Sequence, residues 1–200
     1  MEDIINYIIN NSGFATMKDL KDAAFHTRKI TKLVEEGVIE KVKAGVYRIS
    51  DIGFFENVNL SLIAVCKAEP KAVICLVSAL DYYEMTDFNP HEIYYAIPNS
   101  RKSKKIKYPP TRVFYFRDNV YNIGIDTIKT KYGTINIFNK EKTVCDMFRY
   151  RYKIGEDLAL EALNNYVKMK KRSIPKLLEY AEICRVKPVM EPILKGLLSK

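Results

Sequence analysis

The chain has 200 residues, of which 48% are hydrophobic and 28% charged, and its formal net charge is +9. This much apolar material can bury a real core, so the composition excludes a mainly disordered chain. No run of about 18 apolar residues occurs, and the N-terminus lacks the basic and apolar segments of a signal peptide. The sequence therefore predicts a cytoplasmic protein without a membrane segment, built from one domain or two unequal ones.

The positive charge is unevenly distributed along the chain. Residues 1–50 carry 8 basic and 7 acidic side chains, whereas the other 150 residues carry 25 basic and 17 acidic ones. A protein with this balance is a candidate for binding nucleic acid or an acidic partner protein. The excess of positive charge lies in the second part of the chain.

Residues 1–36 show the spacing of three amphipathic helices. Isoleucines at helical spacing predict a first helix over residues 2–11. Thr16, with Asp19 in the capping-box position, predicts the start of a second helix that runs to residue 24. A third helix is predicted over residues 27–36, where Gly37 supplies the left-handed cap.

A β-hairpin is predicted directly after the third helix. Residues 38–42 and 46–49 alternate as strands do, and Lys43-Ala44-Gly45 joins them. Three helices followed by a hairpin are typical of a winged helix-turn-helix, which we assign to residues 1–52.

The third helix is the predicted contact with duplex DNA, because such a helix fits the major groove. Its exposed side is predicted to consist of Thr27, Arg28, Lys29, Thr31 and Lys32. Arg28 is the best base-reading candidate, since a guanidinium can bond O6 and N7 of guanine together. The other four are expected to contact phosphates or to make mixed contacts.

The hairpin is expected to extend this contact to the flanking backbone or the minor groove. The basic residues that would do so are Lys41, Lys43 and Arg48. Two alternatives stay open at this point. In the first, the basic residues form only a solvated surface. In the second, this nearly neutral unit is an adaptor that binds protein and does not bind specific DNA.

Residues 53–200 are predicted to form an α/β domain, which makes the chain an α+β protein. Its strands are expected at residues 93–97, 111–116, 128–130 and 134–138, in a mixed or antiparallel sheet. Helices are expected at residues 60–67, 141–150, 156–170, 173–184 and from 188 onward. Residues 73–76 fit either a short buried strand or the start of a helix.

A loop between the first two of these strands is strongly basic and contains no acidic residue. It carries Arg101, Lys102, Lys104, Lys105 and Lys107. Such a loop suits phosphate contacts, because its cations displace counterions from DNA. The alternative is a solvated loop. A second basic cluster, residues 168–172, is expected to end a helix and to interact with its dipole.

The sequence contains no recognisable catalytic, cofactor-binding or metal-binding motif. HExxH, GxSxG, Walker A and GxGxxG patterns and a DxD pair are all absent. Cysteines 66, 75, 145 and 184 lie in apolar segments without CxxC spacing, which predicts buried, reduced thiols. A rival reading is a metal-dependent nuclease-like enzyme that uses Asp87, Glu92 or Asp126 with a nearby lysine.

Four segments occur here in a characteristic order: KAGVY at 43–47, VSAL at 77–80, YAIP at 95–98 and FNKEKTVCD at 138–146. In this order the chain resembles the AbiEi family, the antitoxins of type IV toxin–antitoxin systems that act in abortive phage infection. Family members often show Glu-Arg-Thr where this chain has Glu141-Lys142-Thr143. Lysine keeps the charge there but lacks the bidentate geometry of arginine.

The resemblance implies a regulator that represses its own promoter and whose C-terminal domain counteracts a nucleotidyltransferase-like toxin. In type IV systems this protection does not require a stable complex with the toxin. We expect the second domain to extend the DNA footprint, and two protomers to occupy inverted repeats. The sequence shows no leucine zipper, and a monomer in solution with two copies on the operator is one arrangement that it allows.

Overall fold

The computed structural model describes residues 2–11, 13–50, 60–103, 106, 109–130 and 133–199, with only the backbone described for residues 9, 43 and 60. The chain divides into two compact units. One contains residues 1–68 and 129–134, and the other contains residues 69–128 and 135–200. The predicted boundary at residue 52 lies outside the described residues.

The first unit begins with three helices and a small sheet. Its elements are α1 (Glu2–Asn10), β1 (Phe14–Thr16), α2 (Met17–Asp22), α3 (Thr27–Glu35), β2 (Ile39–Lys43), β3 (Val46–Ile49) and α4 (Leu60–Ala68). The strands are ordered β1-β3-β2, and both pairs are antiparallel. The predicted helices and hairpin are confirmed as a winged helix-turn-helix.

Strand β1 was not expected from the sequence. Its three residues are too few for an alternating pattern, and they form a strand because they pair with β3, with Phe14 opposite Arg48 and Ala15 opposite Tyr47. The predicted capping box is present at its end. Thr16 Oγ1 accepts a hydrogen bond from Asp19 N at 3.1 Å, and Thr16 N donates to Asp19 Oδ2 at 2.8 Å.

Helices α2 and α3 both end in a turn with a left-handed residue. After α3 this residue is Gly37, at φ 70°. Gly37 N donates to the carbonyl of Val34, and the next amide donates to that of Leu33. Ala24 takes the same place after α2 at φ 60°, although its Cβ makes this conformation costly. The Ala24 turn therefore directs the chain from α2 into α3, and the Gly37 turn directs it from α3 into β2.

The second unit is built on a mixed sheet with helices after it. Its elements are β4 (Val73–Ile74), α5 (Leu76–Tyr82), β5 (Ile93–Pro98), β6 (Thr111–Phe116), α6 (Asp118–Tyr121), β7 (Ile125–Thr130), β8 (Gly133–Phe138), α7 (Lys140–Ile154), α8 (Glu156–Lys168), α9 (Ile174–Ile183) and α10 (Lys187–Leu198). The strand order is β6-β5-β4-β8-β7. The ends of β7 and β8, residues 129–134, group with the first unit.

The sheet is mixed because it contains both parallel and antiparallel strand pairs. β4 is antiparallel to β5 and parallel to β8, while β5 and β6 are parallel to each other. Residues 73–76, predicted as either a short buried strand or the start of a helix, contain both. Val73 and Ile74 form the strand, Cys75 is the N-cap, and the helix starts at Leu76, whose φ is 51°.

Helix α7 is the central helix of the second unit and packs against α5, α8 and α9. Residues 141–148 on it are all buried, including Lys142 and Asp146. The rings of Phe116 and Phe138 stack beside it with their centroids 5.6 Å apart. The core of this unit therefore surrounds α7 and includes charged groups.

The four cysteines are buried and free, as predicted. Burial raises the pKa of the thiols of Cys75 and Cys145 well above the ordinary value. Both side chains are therefore neutral thiols in the core. In the part of the chain that the structure describes, no helix is long and apolar enough to span a membrane.

Candidate nucleic-acid interface

The exposed side of α3 carries all five residues of this helix that the sequence assigned to DNA contact: Thr27, Arg28, Lys29, Thr31 and Lys32. The opposite side anchors the helix, because Ile30 and Leu33 are fully buried in the first unit. The helix thus holds its polar side chains on one outward face. This is the arrangement in which a recognition helix meets base edges and phosphates.

Charge on α3 changes along its length. Its first two turns carry the three cations, and Glu35 with Glu36 follows at the C-terminal end. Lys32 Nζ lies 3.7 Å from Glu36 Oε1 in an exposed pair, which contributes little stability and is easily exchanged for another partner. The positive potential is therefore greatest at the N-terminal end of α3.

Arg28 and Lys29 are the least engaged cations of this face. Among the described residues, neither has a carboxylate within ion-pair distance. A guanidinium or an ammonium that has no partner within the protein can contact a phosphate or a base without losing an ion pair. These two residues are therefore the strongest candidates for ligand contact on α3.

The wing residues differ from one another in their surroundings. Arg48 on β3 stands opposite Glu40 on β2, and its Nε forms a hydrogen-bonded ion pair with Glu40 Oε1. Lys41 is exposed and stands opposite Tyr47. The side chain of Lys43 lies outside what the structure describes. A DNA contact by Arg48 would compete with its pairing to Glu40.

Two exposed lysines were missed by the sequence analysis. Lys18 and Lys21 lie on α2, the helix that crosses the DNA backbone in helix-turn-helix proteins. The signal was available, because both flank the buried Leu20 on a short amphipathic helix. Within residues 1–52, the predicted DNA contacts were confined to the third helix and the wing.

The basic loop is described only at its beginning. Arg101 and Lys102 are exposed, and Lys104, Lys105 and Lys107 lie outside the described residues. The next residue, Ser103, is tied to the sheet, since its Oγ lies 2.6 Å from the hydroxyl of Tyr95. Arg101 and Lys102 are thus exposed to solvent next to a residue that is anchored to the sheet of the second unit.

The Glu141-Lys142-Thr143 segment forms the first turn of α7 and is buried. Asn139 caps the helix, because its side chain accepts a hydrogen bond from Lys142 N at 3.0 Å. Glu141 Oε1 accepts from the hydroxyl of Tyr166 at 2.8 Å, and Thr143 Oγ1 donates to the carbonyl of Phe138 at 3.1 Å. This segment therefore supports the fold and does not present a surface contact.

No metal centre is found in the part of the chain that the structure describes, where no three His, Cys, Asp or Glu side chains are grouped closely enough to hold an ion. Asp87, Glu92 and Asp126, the carboxylates named for a nuclease-like site, belong to no such group. The backbone amide of Asp87 donates a hydrogen bond to Glu161 Oε1 at 3.1 Å.

The helices α1 to α3, with the β2–β3 hairpin as a wing, define the class of winged helix-turn-helix regulators. Within that class, residues 2–50 match the family model described as a transcriptional regulator, the AbiEi antitoxin. This match supports the resemblance noted from the sequence, over residues 2–50 of the chain.

The other comparisons add little to this assignment. Among solved structures the chain is similar to the RV2827C protein from Mycobacterium tuberculosis, with a TM-score of 0.47 and 10% identity over 96% of this chain and 79% of that chain. No curated protein matches the chain in sequence.

Proposed function

We propose that this protein is an antitoxin that binds duplex DNA through α3 and its hairpin wing and represses its own promoter. The observation that carries the proposal is the outward face of α3, where Arg28 and Lys29 are exposed and have no ion-pair partner among the described residues. The AbiEi match over residues 2–50 supports the regulator role. The most direct role for this face is contact with base edges and phosphates.

The proposed binding mode assigns different tasks to different side chains. Arg28 reads a base, most simply a guanine, through its two parallel donors. Lys29, Lys32, Thr27 and Thr31 contact phosphates beside it, and Lys18 and Lys21 on α2 approach the backbone of the same groove. Two protomers then occupy inverted repeats, because a site with two-fold symmetry presents the same groove twice.

The second part of the proposal concerns antitoxicity. We infer that residues 53–200 counteract a nucleotidyltransferase-like toxin encoded beside this gene, and that they do so without forming a stable complex with it. The family resemblance supports this inference. Arg101 and Lys102, which start the basic loop, are proposed to contact DNA phosphates and extend the footprint.

The test is a gel-shift titration on the DNA upstream of the protein's own gene, compared with scrambled DNA of equal length at two salt concentrations. The proposal expects a preference for the upstream DNA and an affinity that falls steeply with salt, by about 0.9 in the log–log slope per phosphate contact. Equal affinity for both DNAs, or no binding, would overturn the autorepressor role.

A second candidate function rests on the charge of the first unit. Residues 1–50 carry 8 basic and 7 acidic side chains, and a nearly neutral winged helix also suits a protein-interaction adaptor. The adaptor predicts weak binding to any DNA with a shallow salt slope. The same titration therefore separates the two functions.

A further inference from the structure

A concave site in the second unit is lined by three arginines from separate parts of the chain. The cavity has a volume of about 310 Å³ and is bordered by Arg117, Arg149 and Arg185, together with Asn119, Val120, Ile183 and Cys184. Arg117 precedes α6, Arg149 lies on α7 and Arg185 follows α9. Folding thus brings three guanidinium groups to one cavity.

These arginines are not used to stabilise the protein through ion pairs. Within the described residues, none of the three guanidinium groups has an ion-pair partner. The carboxylate of Glu182, three residues before Arg185, is instead paired with Lys187, with 2.9 Å between Oε2 and Nζ. The cavity therefore has an uncompensated positive charge that a bound anion would neutralise.

One of the three guanidinium groups is held in position by aromatic rings. The Arg149 guanidinium carbon lies 5.9 Å from the centroid of the Phe116 ring and 6.0 Å from that of Tyr150. Such contacts orient the planar group. Arg149 is half-buried beside these rings and lines the cavity, so less ordering of its side chain is required on binding.

Arg185 occupies a backbone conformation that favours glycine. Its φ is 59°, and it is the left-handed residue that closes α9, because its amide donates to the carbonyl of Glu182 and the next amide to that of Ala181. Glycine fits this place without strain. An arginine kept there at a cost, with its side chain at the cavity, points to a role in ligand contact.

The cavity wall adds no competing negative charge. Burial raises the pKa of Cys184 to about 12, so its side chain is a neutral thiol. The carboxylate behind it belongs to Asp146, which is paired with Lys142 and also interacts electrostatically with Arg149. Val120 and Ile183 supply apolar surface beside the arginines.

We propose that this cavity binds a small phosphate-bearing anion, of the size of pyrophosphate or a nucleotide. Guanidinium groups bind phosphate oxygens through paired hydrogen bonds. The volume matches small-molecule sites, which begin at about 300 Å³. Its concave form favours a small ligand over the backbone of a DNA duplex. This proposal is independent of the DNA-binding role of the first unit.

The test is calorimetric titration of the full chain with inorganic pyrophosphate and, in parallel, with ATP and adenosine. We expect one site for pyrophosphate and affinity at least about tenfold weaker in Arg185→Gly and in Arg149→Gln. Lys171→Gln is the matched control, because it removes an exposed cation outside the cavity. Tighter binding of ATP than of pyrophosphate would identify the ligand as a nucleotide.

Arg185→Gly also tests folding separately from binding. Glycine relieves the left-handed strain, so this variant is expected to unfold at a temperature no lower than the wild type while losing pyrophosphate affinity. No pyrophosphate binding by the wild type, or an equal loss in Lys171→Gln, would overturn the proposal. Weaker binding of Arg185→Gly to random duplex DNA, with pyrophosphate binding unchanged, would overturn it as well.

Discussion

Lys142 and Asp146 lie one turn apart on α7 and form an ion pair that is completely buried, with 2.5 Å between Nζ and Oδ2. The ammonium also stands over the Phe138 ring, 4.2 Å from its centroid. Gly124 packs closely against the base of the Lys142 side chain, since a Cβ there would lie 2.8 Å from the Cβ of Lys142. Burial raises the pKa of Asp146, and the charge of Lys142 opposes this effect.

The cost of breaking this pair is the first prediction. Asp146→Asn leaves the Lys142 charge buried without its partner, and we expect the free energy of unfolding to fall by about 3–5 kcal/mol. Urea denaturation followed by circular dichroism measures this change. The double variant Lys142→Met with Asp146→Leu removes both charges, and we expect it to be close to the wild type or more stable. A double variant as unstable as Asp146→Asn would contradict this account.

The second prediction concerns base reading by α3. Arg28→Ala should weaken binding to the upstream DNA by about 1–3 kcal/mol and reduce the preference over scrambled DNA, because the bidentate donor is lost. Fluorescence anisotropy with both DNAs measures the two affinities. Lys171→Ala removes a cation from the second unit and is expected to keep the preference. Unchanged affinity and preference in Arg28→Ala would remove this residue from the interface.

The third prediction uses the pairing of Arg48 with Glu40. Glu40→Gln removes the ion pair between this side chain and Arg48. We expect DNA affinity to rise and the salt slope to steepen by about 0.9, corresponding to one added phosphate contact. The slope is measured by titration at several salt concentrations. Glu179→Gln removes an exposed acid of the second unit. An equal gain in that control would show an effect of net charge alone.

The fourth prediction compares the two left-handed turns of the first unit. Gly37→Ala places a Cβ at φ 70° where nothing lies within 4 Å of it, so the loss of about 1 kcal/mol reflects backbone strain only. Ala24→Gly relieves the same strain at φ 60° and is expected to increase stability by less than about 1 kcal/mol, because glycine also gains entropy in the unfolded chain. Thermal unfolding measures both variants. A stability gain in Gly37→Ala, or a stability loss in Ala24→Gly, would contradict the assignment of left-handed residues to these turns.

The fifth prediction concerns alkaline pH. Burial raises the pKa of Tyr150 from 10.0 to about 12. The folded state favours the neutral phenol of Tyr150. The contribution of Tyr150 to stability is therefore fully present below the pKa of the unfolded chain, and it is lost as pH rises from about 10 to about 12. The urea midpoint should therefore fall between about pH 9 and about pH 11, and Tyr150→Phe should fall less. Equal falls in both proteins would mean that Tyr150 does not contribute.

The sequence alone determined the winged helix-turn-helix and its outward face. Helical spacing, the Thr16–Asp19 capping box and Gly37 are local signals, and they fix α2 and α3 without reference to distant residues. The exposure of Arg28 and Lys29 follows from the same spacing, because Ile30 and Leu33 must face inward. Local periodicity is sufficient wherever one face of a helix is buried.

Only the tertiary structure decided the remaining features. The parallel pairing of β4 with β8, the pairing of β1 with β3 and the burial of the Lys142–Asp146 pair depend on contacts between segments far apart in the chain. The cavity of Arg117, Arg149 and Arg185 is the clearest case, since each arginine read alone is an ordinary surface cation. Their meeting depends on how α6, α7 and α9 pack, and packing between distant elements leaves no periodic signal in the sequence.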